Sequence, residues 1–489
     1  MINKPHVDWF ALSPSLAMIG AAGLLLLVAV FVPKRFRKQV SATTAGAGFL
    51  AAFVFAIVLA DKTPHGTTEV VDSIFRDRWA AVAQVLIAGC GVVAVLISYG
   101  ERWRAEHVAE YYALLAAAGA GMAFFVQASN LMTLFLGLEW FSISLYVLCA
   151  IDIDLVGSLE AGLKYLIIGA VGSATLLFGS ALVYGATGQL SFDKIAAAGH
   201  SHDSMLVLGL AMIVAGLAFK TSAAPFHMWT PDAYTGAPTP VTAFMSSATK
   251  VAALVVTYRL LLTAFPTNER LWTWAIAGIA IASLAIGNIA ALVQRNVKRL
   301  LAYSSVSHAG FMLIPIAAAN ALGGRALLYY LIPYCAMSLG AFAVIAARER
   351  ELSAPVTLDS LAGFGWERPF LGTAMAMFMF GFLGFPLTGG FIGKFYAFAA
   401  AYRHGWWWLI VAGVIGTMVS AAYYLAVVRS MFLRDRVELQ LAPAGGSPPR
   451  DLALSAGVAI CLAVTVGSFF AVQPLIDVAH SAAKALPFS

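Results

Sequence analysis

Apolar residues in this chain run on in unbroken stretches of about 20, and no other feature constrains the fold as strongly. An α-helix rises ~1.5 Å per residue, so ~20 apolar residues carry it across the ~30 Å hydrocarbon layer of a bilayer. About fourteen such stretches can be read, at roughly 12–32, 40–60, 79–99, 111–128, 130–151, 161–185, 205–226, 239–263, 271–293, 300–319, 325–346, 370–398, 405–430 and 452–472. A spanning segment has no water to bond its backbone, so it must be a helix or part of a closed barrel. Barrel strands alternate apolar and polar residues, and these stretches do not. Composition agrees. Of 489 residues, 61% are hydrophobic and 11% charged, less than half the ~25% charge of an ordinary soluble domain. A soluble enzyme and a disordered chain are both excluded. The first stretch is long enough to be a true span, so no cleaved signal peptide is expected.

The net charge of +6 would suggest nucleic acid in a soluble protein. Here the basic residues mark membrane orientation instead. Sixteen lysines and arginines follow odd-numbered spans, with Lys34–Lys38 and Arg295–Arg299 in short loops, against ten on the other side. With an even number of spans, both termini are expected outside, in the periplasm of a Gram-negative cell. The longest loops, 61–78, 186–204, 347–369 and 431–451, are too short for a separate soluble domain; the last holds Pro443, Gly445, Gly446, Pro448 and Pro449 and reads as an exposed connection. Cys90, Cys149, Cys335 and Cys461 form no close pair in sequence and read as buried small apolar residues. His200 and His202 lack further metal ligands. No phosphate loop or dinucleotide fingerprint is present, so no metal or cofactor is expected in this chain. Trp406, Trp407 and Trp408 read as an interfacial anchor.

The functional signal is the set of ionisable residues within the spans: Glu139, Lys164, Lys220, Lys250, His308 and Lys394. A charge at the centre of a span costs ~2.5–3.5 kcal/mol on insertion scales, so it is rarely idle. Lys164, near a span start, can instead snorkel to the interface. Glu139, Lys220, Lys250 and Lys394 have apolar sequence on both sides, which leaves a structural ion pair or a functional route. His308 can be a neutral, hydrogen-bonded packing residue or part of that route.

Two of these lysines adjoin helix breakers. Lys220 opens Lys220-Thr221-Ser222-Ala223-Ala224-Pro225, and Lys394 closes a segment with Gly384, Pro386, Gly389, Gly390 and Gly393. Proline removes a backbone donor and disturbs the preceding turn. Inside a membrane such a break is tolerated where it faces protein or a wet cavity; a kink for packing alone is the plain alternative. Spans four to eight and nine to thirteen can be laid against each other, and an offset of five inverts the second set. Lys220 and Lys394 then share the fourth span of each set, and Glu139 and His308 the second. Matched broken spans in two halves point to an ion or substrate pathway. The expected fold is thus an all-α polytopic membrane protein of about fourteen transmembrane helices, with two inverted five-helix repeats, each containing a broken helix. Its parts are residues 1–110 (helices one to three), 111–263 (first repeat), 264–433 (second repeat) and 434–489 (the last helix).

Three stretches resemble the antiporter-like membrane subunits of respiratory complex I. One runs from Gly216 to Lys220, through Pro225-Phe226-His227-Met228-Trp229-Thr230-Pro231-Asp232, to Pro238-Thr239-Pro240-Val241. Another runs from Gln294-Arg295 through Lys298-Arg299 and Tyr303-Ser304-Ser305 to His308. The third runs from Gly384 through Gly389 to Lys394. The likeness covers about residues 12–472, and the first stretch is closest to the N type of these subunits. It implies proton pumping in a bacterial inner membrane, beside the other membrane subunits of NADH:quinone oxidoreductase and lipid. By position, Glu139 is implied as the partner of Lys220, Lys250 as the next relay lysine, and Lys394 as the lysine near the exit. Glu160 and Lys164 are implied as a further pair, whose i,i+4 spacing puts both on one helix face. His227 and His308 are implied near the aqueous route. FMN, iron–sulfur clusters and quinone would belong to other subunits, and this chain would meet NADH and quinone only through them. Two competing readings are a subunit of a multi-chain cation/proton antiporter or membrane-bound hydrogenase, and a stand-alone solute transporter.

Overall fold

A computed structural model describes residues 7–63, 66–70, 72–101, 104, 106–198, 203–434 and 451–488. The stretch with Pro443 to Pro449 and the pair His200 and His202 lie outside the described residues. Helices α1 (Ser13–Phe31), α2 (Lys34–Lys62) and α3 (Arg78–Tyr99) come first. Between α2 and α3 lies an antiparallel hairpin, β1 (Thr67–Glu69) and β2 (Ile74–Arg76). It is the one departure from helix among the described elements. It ties down a long loop: Phe75 N–H donates to Gln127 O at 2.6 Å.

Next come α4 (Val108–Phe125), α5 (Leu131–Cys149), α6 (Val156–Thr187) and the short α7 (Phe192–Ala198). The seventh expected span, 205–226, stops early as α8 (Ser204–Lys220), and the short α9 (Trp229–Gly236) follows between it and the eighth. Then follow α10 (Thr239–Ala264), α11 (Glu269–Leu292), α12 (Val297–Ala317), α13 (Ala321–Leu352) and the one-turn α14 (Phe364–Glu367). The twelfth expected span is split into α15 (Pro369–Leu383) and α16 (Gly389–Arg403). The chain closes with α17 (Trp407–Leu433), α18 (Leu452–Phe470) and α19 (Val472–Ala483). Twelve helices among the described residues are long and apolar enough to cross a membrane: α1 to α6, α10 to α13, α17 and α18.

Polar residues at the stretch boundaries start several helices. Asp77 accepts from Ala80 N–H at 2.8 Å to open α3, Asn130 from Thr133 N–H at 2.7 Å to open α5, and Asn296 from Arg299 N–H at 3.1 Å to open α12. Each pairs a backbone donor that a helix start leaves free. Helix α10 is buried almost throughout, with α12 and α13 close behind. Leu24, Leu27, Leu163, Val171, Ile415 and Met418 are exposed on α1, α6 and α17, which form an apolar outer surface suited to lipid. Helices α6 and α8 pack through glycine: a Cβ on Gly179 would lie 2.7 Å from Gly209 O.

Ion pairs sort the loops into two ends. Lys34–Glu106, Arg350–Glu101 and Arg350–Asp451 join loops at one end; Arg76–Asp8, Lys194–Asp72 and Arg259–Asp77 join those at the other. At the second end Lys194 also holds the Asp72 carboxylate below its ordinary pKa through a hydrogen bond.

Candidate functional site

Helix α8 stops at Lys220 because Pro225 cannot continue the backbone ladder. The groups freed there find buried partners. Phe219 O accepts from Trp229 Nε1 at 3.0 Å, Ala224 N–H donates to Ser283 Oγ at 2.8 Å, and Thr221 O accepts from Lys250 Nζ at 2.8 Å. Lys220 itself is 1% exposed. Its ammonium donates to Ser142 Oγ at 2.7 Å and Tyr165 OH at 3.0 Å, and lies 4.4 Å from the Phe141 ring centroid. An ammonium over a ring face gains a favourable cation–π contact.

The second break repeats the device. Helix α15 stops at Leu383, and Gly384 takes φ 83°, a backbone that a residue with a Cβ adopts at a cost. Helix α16 then returns so closely that a Cβ on Gly390 would lie 2.0 Å from Gly381 O. Lys394 on α16 donates to Leu383 O at 2.9 Å and Thr417 Oγ1 at 3.4 Å, with the Phe311 ring centroid 4.3 Å away.

Lys250 lies on α10, fully buried. His308 lies on α12, bonded to Tyr330 OH and Tyr424 OH. It sits within electrostatic reach of both Lys250 and Lys394. The order through the bundle is therefore Lys220, Lys250, His308, Lys394. Among the described residues, every polar partner of the three lysines is a hydroxyl or a backbone carbonyl, and none is a carboxylate.

Glu139 on α5 is half-buried and within electrostatic reach of Lys220, but no ion pair joins them. Its Oε1 is buried with no hydrogen-bond partner among the described residues. The structure thus shows no contact pair between Glu139 and Lys220; Ser142 and Tyr165 take two of the three donors of the ammonium.

Glu160 and Lys164 do form their i,i+4 ion pair, at 2.7 Å. The structure sets it apart from the buried line, with the Lys164 side chain 42% exposed. Lys164 also reaches Asp232 at 3.0 Å, and Asp232 reaches Arg299 at 2.7 Å. His227, between α8 and α9, is half-buried, with Nδ1 unpartnered among the described residues and its ring centroid 6.4 Å from that of Tyr303.

Several residues were given no role at the site from the sequence. Asp232 and Arg299 stand near span ends, where charges are ordinary. Lys298, counted there with a loop, is buried in the first turn of α12 and donates to Ala237 O at 2.8 Å. It lines a cavity of about 510 Å³ with Glu101, Glu349 and Arg350, at the end of the bundle where α9 meets α10. Arg259 and Asp77 form a buried double hydrogen bond at 2.7 and 2.8 Å. Arg259 sat within an apolar stretch and could have been found by the same rule as the lysines. Cys90, Cys335 and Cys461, far apart in sequence, are buried neighbours on α3, α13 and α18 and carry no disulfide.

A family profile described as "NADH:quinone oxidoreductase/Mrp antiporter, TM" matches residues 128–420. The NADH-quinone oxidoreductase subunit N of Trichlorobacter lovleyi is 41% identical over 435 residues, which cover 86% of this chain and 87% of that protein. Its namesake from Methylobacterium nodulans is 40% identical over 494 residues, covering 99% of this chain and 100% of that one. Among solved structures, a chain of respiratory complex I from Thermus thermophilus with bound aureothin is 32% identical. It superposes with a TM-score of 0.78 over 94% of this chain and 98% of its own length.

Proposed function

The chain belongs to the NADH:quinone oxidoreductase/Mrp antiporter membrane family, and from that premise we propose that it is a proton-translocating membrane subunit of an NADH:quinone oxidoreductase, in the place held by subunit N. The observation that carries the site assignment is the buried line Lys220, Lys250, His308, Lys394, whose polar partners among the described residues are hydroxyls and carbonyls alone. Three lysines kept in a bundle core without carboxylates are costly, which is the mark of a transport route.

The chemistry follows from Glu139. A nearby carboxylate favours the charged form of a lysine, and burial disfavours it. A change in the distance or protonation of Glu139 therefore drives proton uptake or release at Lys220. Thr221 O, which holds Lys250, belongs to the next residue after Lys220, so the two lysines sit on either side of one backbone turn. From there water carries the proton to Lys250, and His308 passes it toward Lys394. The charged cavity at Lys298 is the inlet from the cytoplasm. Quinone reduction in other subunits, which hold the FMN, the iron–sulfur clusters and the quinone site, drives the cycle.

The remaining assignments belong to the same proposal. Each broken pair, α8 with α9 and α15 with α16, completes one crossing, for fourteen in all. Residues 111–263 and 264–433 are the inverted repeats, between residues 1–110 and 434–489. The chain is multi-pass in the bacterial inner membrane, with both termini on the periplasmic side. Glu160, Lys164 and His227 serve the cytoplasmic approach to Lys220.

Purification in mild detergent tests the assignment. Co-purification with flavin and iron–sulfur subunits, together with NADH oxidation, is the expected result. Co-purification with other antiporter subunits and no flavin would move the chain to a multi-chain antiporter.

A further inference from the structure

His308 is held from two sides. Its Nδ1 lies 2.9 Å from the Tyr330 hydroxyl and its Nε2 lies 3.0 Å from the Tyr424 hydroxyl. All three side chains are buried, His308 at 2% exposure. The rings of Phe382, Tyr334 and Phe311 enclose the imidazole, with centroids 5.1, 5.3 and 5.9 Å away. Tyr424 OH bonds onward to Ser304 Oγ. Tyr330 packs against the helix of Lys394: a Cβ on Gly393 would lie 2.8 Å from its ring.

We propose that Tyr330 and Tyr424 are proton-relay residues that make His308 a single-proton transfer point between two hydroxyls. The inference rests on the proton-translocating reading of this site. A neutral imidazole has one N–H and one bare nitrogen. With a hydroxyl at each nitrogen, one tyrosine donates to the ring while the other accepts from it. A carbonyl partner could only accept, and would lock one tautomer. Two hydroxyls, each able to do either, let both bonds reverse together.

The transfer balances. A proton reaching the Ser304 oxygen displaces that hydroxyl's own proton onto the Tyr424 oxygen, and the Tyr424 hydroxyl proton moves to Nε2. The proton on Nδ1 moves to the Tyr330 oxygen, and the Tyr330 hydroxyl proton passes on to the neutral amine of Lys394. One proton enters, one leaves, and only O–H and N–H bonds change. His308 ends as the opposite tautomer and must reset before the next transfer, so protons pass one at a time. Flow in the other direction runs the same steps in reverse.

Tyr330→Phe and Tyr424→Phe keep each ring and remove only the hydroxyl. Tyr258→Phe is the control, since its hydroxyl donates to Asn320 O at 3.0 Å and bonds neither His308 nor its two tyrosines. The whole complex in inverted membrane vesicles is assayed for NADH oxidation and proton uptake, in H2O and in D2O. Positioned proton transfer is typically worth ~10²–10⁴-fold, and water can replace part of it, so a loss of about tenfold in coupled turnover is expected from each variant at His308. The solvent isotope effect per assembled complex should rise in the same two variants and stay unchanged in the control. A packing role would lower the amount of complex without moving the isotope effect. His308→Gln covers poor assembly of the phenylalanine variants: an amide can bond both hydroxyls but cannot pass a proton, so complex should form and pumping be lost. Wild-type uptake with an unchanged isotope effect in assembled Tyr330→Phe and Tyr424→Phe, or normal pumping by His308→Gln, overturns the proposal. Lys250→Ala is run alongside. If it stops pumping while the tyrosine variants pump normally, the tyrosine role alone fails; if all pump normally, the relay reading fails with it.

Discussion

Lys394 separates a relay lysine from a fixed charge. Its ammonium donates to Leu383 O at 2.9 Å and Thr417 Oγ1 at 3.4 Å, and faces the Phe311 ring. Lys394→Arg keeps the charge and can reach the same carbonyl. The stem runs close over Gly384, where a Cβ would lie only 3.0 Å from Lys394 Cδ, so the bare glycine is what gives a side chain of this length its place. What arginine cannot do is release the proton readily. Its ordinary pKa stands above that of lysine by an amount that makes the neutral form roughly a hundred- to a thousandfold rarer. Lys394→Met removes the charge instead. It leaves the Leu383 carbonyl without its partner, at ~1–3 kcal/mol. Against that, an uncompensated buried charge is no longer carried, and its removal is worth as much or more. Assembly should therefore survive in both variants. Intact complex is measured on a native gel, and proton uptake per NADH oxidised in membrane vesicles. Both variants are expected to assemble and to lose most coupled pumping. Full pumping by assembled Lys394→Arg would show that a fixed positive charge suffices, and the relay role would be wrong.

Other outcomes can be checked independently. Lys220→Ala should weaken pumping with assembly kept, because Glu139 can take up a proton once its counter-charge is gone; normal pumping per electron removes Lys220 from the route. Asp77→Asn keeps the cap of α3 but leaves the buried Arg259 guanidinium without its carboxylate, at ~3–5 kcal/mol; a melting temperature equal to wild type would contradict this. Gly390→Ala should cost assembly, because its Cβ meets Gly381 O at 2.0 Å, whereas Gly467→Ala, with nothing within 4 Å, should not; equal yields of complex would count against the tight return of α16. Tags at either terminus should be reachable only from the periplasmic face, and a C-terminal tag reached only from the cytoplasm refutes the orientation.

Much of this site could be read from the chain because lipid makes charge conspicuous. Lys220, Lys250, His308 and Lys394 stand out wherever apolar sequence continues on both sides, and each proves buried. The breaks were equally plain, since Pro225 and Pro386 cannot extend a helix and glycines crowd the second. The hydroxyl partners were not. Tyr165, Tyr330 and Tyr424 look like any aromatic residue in an apolar stretch, and which donor they meet depends on how separate helices pack. The same holds for Asp232, whose two partners come from α6 and α12. Asp77 and Lys298 were hidden by their place near span ends, where a charge needs no explanation until burial is seen. The hairpin of β1 and β2 carried too few residues to announce itself.

On the proposed relay, the choice of partners explains how a lysine can be both buried and mobile in charge. A carboxylate at contact would favour the charged form alone and hold the proton. A backbone carbonyl accepts from an ammonium and also from a neutral amine, so it is satisfied in both states. Each helix break exposes such a carbonyl inside the bundle, where leaving it bare is itself costly. Lys250 at Thr221 O and Lys394 at Leu383 O therefore solve two problems with one contact. The break supplies an acceptor that does not fix the charge, and the lysine supplies the donor that the break lacks. Lys220 reaches the same end through Ser142 and Tyr165. Glu139 stays out of contact with it, and in the proposed relay is close enough to bias the charge and too far to trap it.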